Sequence, residues 1–242
     1  MISKRQIKII TSLHQKKYRK STGLFVAEGK KVIQEFLNSK FELDTLFTID
    51  EHLFANTSKV ALISEAELKK ISFLKTPNKA LALFKITDNA VVNAEGLIVA
   101  LDDVRDPGNL GTIIRLCDWF GVKQLVCSEA TVDCYNPKVI QATMGSLTRV
   151  NVVYTNLENY LSETKLPVFG AFMDGKNVYQ TELPTDGILI MGNEANGVSD
   201  TASKFITKKI AIPRFGEIQQ TESLNVAMAT GILLNEFKRG AF

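Results

Sequence analysis

Histidine is almost missing from this 242-residue chain: His14 and His52 are the only two, and both lie in the first quarter. The second half therefore offers no Ser-His-Asp triad and no histidine-based zinc site. Cysteine is scarce as well. Cys117, Cys127 and Cys134 are odd in number and too widely spaced for a CxxC pair. That pattern excludes a disulfide framework and a structural zinc site, and it fits a reducing cytoplasm. No apolar run approaches the roughly 20 residues that span a bilayer. The opening MISKRQIKII lacks the apolar stretch and small-residue cleavage site of a secretory signal. Neither GxGxxG after a strand nor a GxxxxGK phosphate loop occurs, so the usual dinucleotide fold, a P-loop protein and a flavodoxin-like nucleotide binder all lose support. Internal repeats and low-complexity tracts are also absent.

What is present is a chain with 45% hydrophobic and 23% charged residues, enough to bury a sizeable core. At about 150 residues per domain this means one large domain or two modest ones. The net charge of +3 says little, but its distribution says more. Residues 1–20 carry Lys4, Arg5, Lys8, Lys16, Lys17, Arg19 and Lys20 and no acidic residue. Such a block is the footprint of a polyanion partner; the plainer alternative is a solvated basic face.

Hydrophobic periodicity divides the chain in two. Over residues 1–88, helical stripes (Ile7, Ile10 and Leu13 in the first) alternate with short strands such as LFVA and LALFKI. Ser64 with Glu67 forms a capping box that opens a helix through Leu68 and Ile71. The polar stretch TDNAVVNAE (87–95) reads as a boundary. Residues 96–242 form the second region, where apolar strands GLIVAL, KQLVC, VNVVYT, PVFGAF, GILIM and KKIAI alternate with helices at 109–120, 136–146, 156–164 and 221–238. Continuous apolar strands separated by helices predict an α/β fold with a parallel sheet covered on both faces. Ligands of such sheets sit beyond the carboxyl ends of the strands.

Three loops at those ends carry the polar chemistry. The first, DDVRDPGNLGTIIRLCDWFG, places Gly108 and Gly111 around Asn109 at the mouth of a helix. Arg115 falls about 140° from Leu110 on that helix, off its apolar stripe and free to face solvent or a ligand. The second, GNEANGVSD, sets Glu194 between Gly192 and Gly197, which permit a close approach of backbone to ligand. In the third, Glu222, Ser223 and Asn225 stand at the start of a helix that is apolar nearly all round, from Leu224 to Phe237. A helix of that kind is buried in its own chain or pressed against another subunit. Taken singly, each feature has an ordinary structural reading: a surface arginine, a tight turn, a cap.

Together the three loops resemble the SpoU (TrmH) family of the SPOUT methyltransferase superfamily. NLGTIIR (Asn109 to Arg115) is similar to its first motif and LIMGNEANGV (Leu189 to Val198) to its second. Ile212-Pro213 followed by SLNVAMATGI (to Ile232) is similar to its third. The likeness covers residues 97–238, and KYRKSTGLFVAEGKKVIQEFL is similar to the family's separate L30e-like RNA-binding domain. It implies an N-terminal L30e-like α/β sandwich over 1–88 and a SPOUT α/β domain over 96–242, with a parallel sheet and a C-terminal trefoil knot. It further implies an S-adenosylmethionine-dependent transfer to a ribose 2′-hydroxyl of RNA, ribosomal RNA in preference to transfer RNA, by a metal-free homodimer paired through its C-terminal domain. Gly192, Ile212 and Leu224, with Met191, Asn193 and Gly197 of the second motif, would hold the cofactor. Arg115, Asn109, Glu194, Ser223 and Asn225 would form the catalytic set. A guanidinium keeps its proton above a pKa of about 12, so Arg115 is read as an electrostatic anchor rather than a literal base. The chain departs from the family in two places. Gln141-Ala142-Thr143-Met144-Gly145 stands where the family has Arg-x-Ser-x-Gly, and the stretch from Pro213 to Ser223 is longer than usual. An inactive, RNA-holding relative is the rival reading, with Gln141 as its foothold.

Overall fold

The computed structural model describes residues 2–88, 95–218 and 223–240; residues 89–94 of the expected boundary, and Glu222, lie outside them. The chain forms two compact units, Met1–Asp88 with Asp133–Thr148, and Asn89–Val132 with Arg149–Phe242.

The first unit runs α1 (Lys4–Ser12), α2 (Lys16–Thr22), β1 (Leu24–Glu28), α3 (Lys30–Leu37), β2 (Leu43–Thr48), β3 (Val60–Leu62), α4 (Glu65–Ile71) and β4 (Ala80–Lys85). Its sheet has the order β1-β4-β2-β3, with β4 antiparallel to both β1 and β2 and β3 parallel to β2. The Ser64–Glu67 capping box is formed as the sequence predicts. The helix α2 has no counterpart in the hydrophobic pattern, because KKYRKST carries no apolar stripe.

The helical stretch expected at 136–146 forms a shorter helix between the second unit's strands in sequence, yet its contacts group it with the first unit. There the Tyr135 ring lies 4.9 Å from Phe25, inside a cluster with Phe36, Phe41 and Phe84. Thr143, in the departing motif, is wholly buried and donates its hydroxyl to the Ile140 carbonyl at 2.8 Å. Gly145 closes the segment at φ +96, where an added Cβ would stand 2.5 Å from Glu35 Cγ.

Arg19 corrects the reading of the basic block. Six of its seven cations are exposed, but Arg19 is only 2% exposed. Its Nη1 donates to the carbonyls of Leu13 (2.8 Å) and His14 (3.0 Å), groups the end of α1 leaves unpaired, while Nε and Nη2 both donate to Asp133 Oδ2. A buried cation survives only when its donors are matched in this way. Arg19→Ala would strand the Asp133 carboxylate and should lower the unfolding free energy in urea by about 3–5 kcal/mol, whereas exposed Lys20→Ala should change it by less than about 0.5 kcal/mol. Equal, small effects would return Arg19 to the surface patch.

The second unit runs β5 (Leu97–Leu101), α5 (Pro107–Trp119), β6 (Gln124–Ser128), then the first unit's α6 (Pro137–Thr143), and on through β7 (Asn151–Thr155), α7 (Leu157–Glu163), β8 (Val168–Asn177), β9 (Gly187–Met191), α8 (Asp200–Ser203), β10 (Lys208–Ala211) and α9 (Val226–Lys238). All its strand pairs are parallel, in the order β10-β8-β9-β5-β6-β7. Every residue of β5 and β9 is buried, which is why both read as unbroken apolar runs. The chain lays down β5, β6 and β7 in one direction, then returns so that β9 lies on the other side of β5. That reversal is a topological switch point, the place where open α/β sheets bind ligands. Among the described residues no helix is long and apolar enough to cross a membrane.

Candidate active site

Neighbouring strands bring the first two loops together. Leu101 ends β5 opposite Met191 at the end of β9, and the Asp102 N–H donates to the Met191 carbonyl at 2.9 Å. Asp102 is nearly buried, and its Oδ2 accepts the Ser199 N–H at 2.8 Å, closing the second loop onto the first. Asp103 follows at φ +60, a left-handed conformation uncommon outside glycine that aspartate tolerates better than most. Three bonds hold it there. Its N–H donates to Ser128 Oγ (2.9 Å), its carbonyl accepts Asn193 Nδ2 (2.7 Å), and its carboxylate takes Arg105 Nε (2.7 Å), which raises the Arg105 pKa further.

Asp106 then caps α5, accepting the Asn109 N–H at 2.8 Å, with Pro107 in the first turn. This arrangement leaves the Asn109 side chain free. Its Nδ2 donates to Glu194 Oε1 at 2.8 Å, and its Oδ1 accepts Asn225 Nδ2 at 2.9 Å. Asn225 in turn caps α9, its Oδ1 accepting the N–H groups of Ala227 (3.0 Å) and Met228 (3.2 Å). Residues 109, 194 and 225, far apart in sequence, are thus one hydrogen-bonded chain.

The second loop is a tight turn in which Asn193 and Gly197 exchange backbone bonds, and Asn193 Oδ1 accepts the N–H groups of Ala195 and Asn196. Gly192 is fixed by space: a Cβ there would lie 2.1 Å from the Gly197 carbonyl carbon and 2.2 Å from the Val198 nitrogen. Met191 is buried behind it, and Gly197 adopts φ +69.

Arg115 lies about 9 Å further along α5 from Asn109 at the helical rise. It is exposed, with no hydrogen bond or ion pair among the described residues, while its neighbours Ile113, Ile114 and Cys117 are buried. Burial pushes the Cys117 thiol far above its ordinary range, so it is inert packing. Ser223 is exposed and precedes α9 rather than joining it, because the helix starts at Val226. Leu224 is half exposed beside it.

Ile212 stands apart from this chain of bonds. It follows β10 and lines a cleft of about 440 Å³ with Met173, Gly175, Asn177, Pro213 and Arg214. Gly175 lets β8 and β10 meet: its Cβ would fall 2.5 Å from the Ile210 backbone, where the strand register jumps from Gly170 to Lys176. Sequence reasoning missed Asp102, Asp103 and Asp106. For Asp106 the signal was present, since Asp-Pro-Gly before an apolar stripe is a helix-start pattern; Asp102 and Asp103 carry none, because their roles are set by the partner loop.

Comparison with known proteins gives a consistent answer. The model of the SpoU rRNA methylase family matches residues 96–235, and that of the MRM3-like substrate binding domain matches residues 4–82. The Bacillus subtilis 23S rRNA (guanosine(2553)-2′-O)-methyltransferase RlmP is 31% identical over 238 residues, 95% of this chain and 94% of that protein. A TrmH-family structure from Porphyromonas gingivalis superposes with a TM-score of 0.90 at 36% identity, covering 99% of both chains. An AdoMet-bound rRNA methyltransferase from Sinorhizobium meliloti superposes with a TM-score of 0.88 at 30% identity, covering 100% of this chain and 97% of that one.

The crowding at Gly192 gives a direct test of the turn. Gly192→Ala should destabilise the protein by about 1–3 kcal/mol or more, since the intruding methyl meets backbone and not a side chain that can swing away. Thermal unfolding beside Gly216→Ala, whose Cβ position is open and whose φ is not left-handed, reports it. A Gly192→Ala protein as stable as wild type would mean that the turn is looser than described.

Proposed function

From the fact that the chain belongs to the SpoU rRNA methylase family, we propose that it transfers the methyl group of S-adenosylmethionine to a ribose 2′-hydroxyl of large-subunit ribosomal RNA. The observation that carries the reading is the Glu194–Asn109–Asn225 chain, which ties all three motif loops to one place. Similarity to RlmP, a 23S rRNA 2′-O-methyltransferase, supports the substrate class. In this reading residues 1–88 bind RNA through the exposed lysines and Arg5 of α1 and α2, and residues 96–242 carry out the transfer. The three cysteines, buried and none in a disulfide, accord with work in the cytoplasm.

The cleft beside Ile212 fits the methyl donor. Its volume lies in the range of cofactor pockets, and it offers apolar walls (Met173, Ile212, Pro213) beside polar Asp174 and Asn177. Gly192 follows β9, the strand next to β8, so the tight turn with Met191, Asn193 and Gly197 borders the same sheet end, and Leu224 of the third loop would complete the set. When bound, S-adenosylmethionine supplies a methyl on a positively charged sulfur, already activated toward an oxygen nucleophile. The protein's task is then alignment, which is worth about 7–11 kcal/mol when geometry is good. Arg115, whose planar fork of donors has no partner among the described residues, grips a backbone phosphate and stabilises charge growing on the ribose oxygen. Ser223 offers an exposed hydroxyl to the ribose, while Asn109 and Glu194 fix the loop that presents Asn225.

Ribosomal and transfer RNA from cells with and without the protein should differ by a 2′-O-methyl signal at one ribosomal ribose. Complementation with Arg115→Lys should leave that ribose unmethylated, with turnover in vitro down about 10²- to 10³-fold and donor affinity retained. A change confined to transfer RNA would move the substrate, no change in either would sink the reading, and near-normal Arg115→Lys turnover would reject the bidentate role.

We also propose that the protein works as a homodimer paired through α5 and α9. These helices pack with their N-termini together, and a Cβ on Gly231 would meet Leu116 at 3.4 Å. The inner side of α9 is buried, but Met228 is 64% exposed, and Trp119 on α5 is 84% exposed. Large apolar side chains left bare on adjoining helices mark a protein surface that is covered. Trp119→Glu combined with Met228→Glu should convert a dimer to a monomer in sedimentation velocity; persistence of the dimer would place the seam elsewhere.

A further inference from the structure

The loop after β10 carries an aromatic side chain that the proposed chemistry leaves unused. Phe215 is 82% exposed, and its ring centroid lies 6.2 Å from that of Tyr179 at an interplanar angle of 35°. Tyr179, 37% exposed, borders a second cleft of about 440 Å³ lined also by Gln180, Thr181, Glu182 and Arg239. The residues immediately before Phe215 (Ile212, Pro213, Arg214) line the donor cleft. Two rings in contact thus sit between a cleft suited to the methyl donor and one rich in hydrogen-bonding side chains.

An exposed phenylalanine backed by a tyrosine contributes little to a fold, since most of its surface stays in water. It does offer a flat π-face, and unpaired RNA bases are bound by stacking on such faces. Two cations close by can meet a phosphate backbone. Lys176, between cleft-lining Gly175 and Asn177, and Arg214 are both exposed. Of the nearby acids, Asp174 is matched by Lys209 at 3.6 Å and Glu236 by Arg239 at 3.4 Å, while Glu217 stands in the loop beside Phe215 and Glu182 in the second cleft. The polar second cleft can meet the edge of a base that stacking presents to it.

We infer that Phe215, supported by Tyr179, is a substrate-binding platform on which a nucleobase next to the methylated ribose stacks after leaving its own helix. The inference rests on the RNA-methylating reading above and adds to it the element that selects an unpaired, stackable base. It also gives residues 213–218 a use: they carry the ring outward to the substrate.

The test compares wild type with Phe215→Ala, Phe215→Leu and Phe215→Trp in three measurements: methyl transfer to ribosomal RNA from cells lacking the protein, S-adenosylmethionine affinity by calorimetry, and sedimentation. A fourth measurement titrates a 12-nucleotide single-stranded RNA carrying one 2-aminopurine, whose fluorescence falls on stacking. Stacking predicts that Ala and Leu raise KM for RNA about 5- to 100-fold with little change in kcat, that Trp restores it, and that quenching follows the same order. Donor affinity and oligomeric state should stay as in wild type. If Leu behaves as wild type, apolar bulk and not a π-face matters, and the inference fails. It fails equally if Phe215→Ala weakens donor binding or splits the dimer, which would make Phe215 part of those surfaces. A wild-type protein inert in transfer would reject the enzymatic reading, and the quenching series would still decide the platform.

Discussion

A side-chain amide has one donor group and one acceptor group, and in Asn109 each is committed to a different loop. The donor holds the carboxylate of Glu194, and the acceptor holds the amide of Asn225, whose own oxygen is occupied by the first N–H groups of α9. Among side chains of the same shape, aspartate lacks the donor and leucine both groups. The arrangement converts three separate loop conformations into one, and helix caps fix its middle at Asn109 and its end at Asn225. Arg115 takes its position from the same origin, because the cap at Asp106 sets the rotation of α5 and therefore the side on which the guanidinium emerges.

The sheet supplies the rest of the constraint. Parallel strands that begin and end together deliver their following loops to one edge, and the adjacency of β5 and β9 turns that edge into a junction. Glycine is required there where backbones nearly touch, at Gly192 within its turn and at Gly175 between β8 and β10. The strained Asp103 belongs to the same economy of space: the chain reverses sharply between a buried strand and a helix start, and the bonds from Ser128, Asn193 and Arg105 keep it so.

Much of this was legible in the sequence, for reasons that can be named. Strands β5 and β9 announce themselves because burial on both faces demands apolar residues throughout, and the Ser64 cap because its partner sits three residues away. The convergence of residues 109, 194 and 225 was visible only through the likeness of the three motifs, since no local signal links positions up to 116 residues apart. Arg19 was misjudged because charge in sequence carries no depth; its partners are two carbonyls and an aspartate 114 residues distant. The helix α2 escaped notice for want of an apolar stripe, and Ser223 was drawn into a helix that Asn225 in fact begins.

The membership of residues 133–148 in the first unit bears on how the protein is made. The chain passes from one unit to the other three times, after residues 88, 132 and 148. A domain at the amino terminus ordinarily completes its fold as soon as it clears the ribosome. Here the first unit waits for Asp133 to neutralise Arg19 and for Tyr135 to fill its aromatic cluster, which at about 5–20 residues per second delays completion by roughly 2–9 s of synthesis. During that interval the growing β5 and β6 already present apolar strands, so the two halves mature together and neither serves as a finished template for the other.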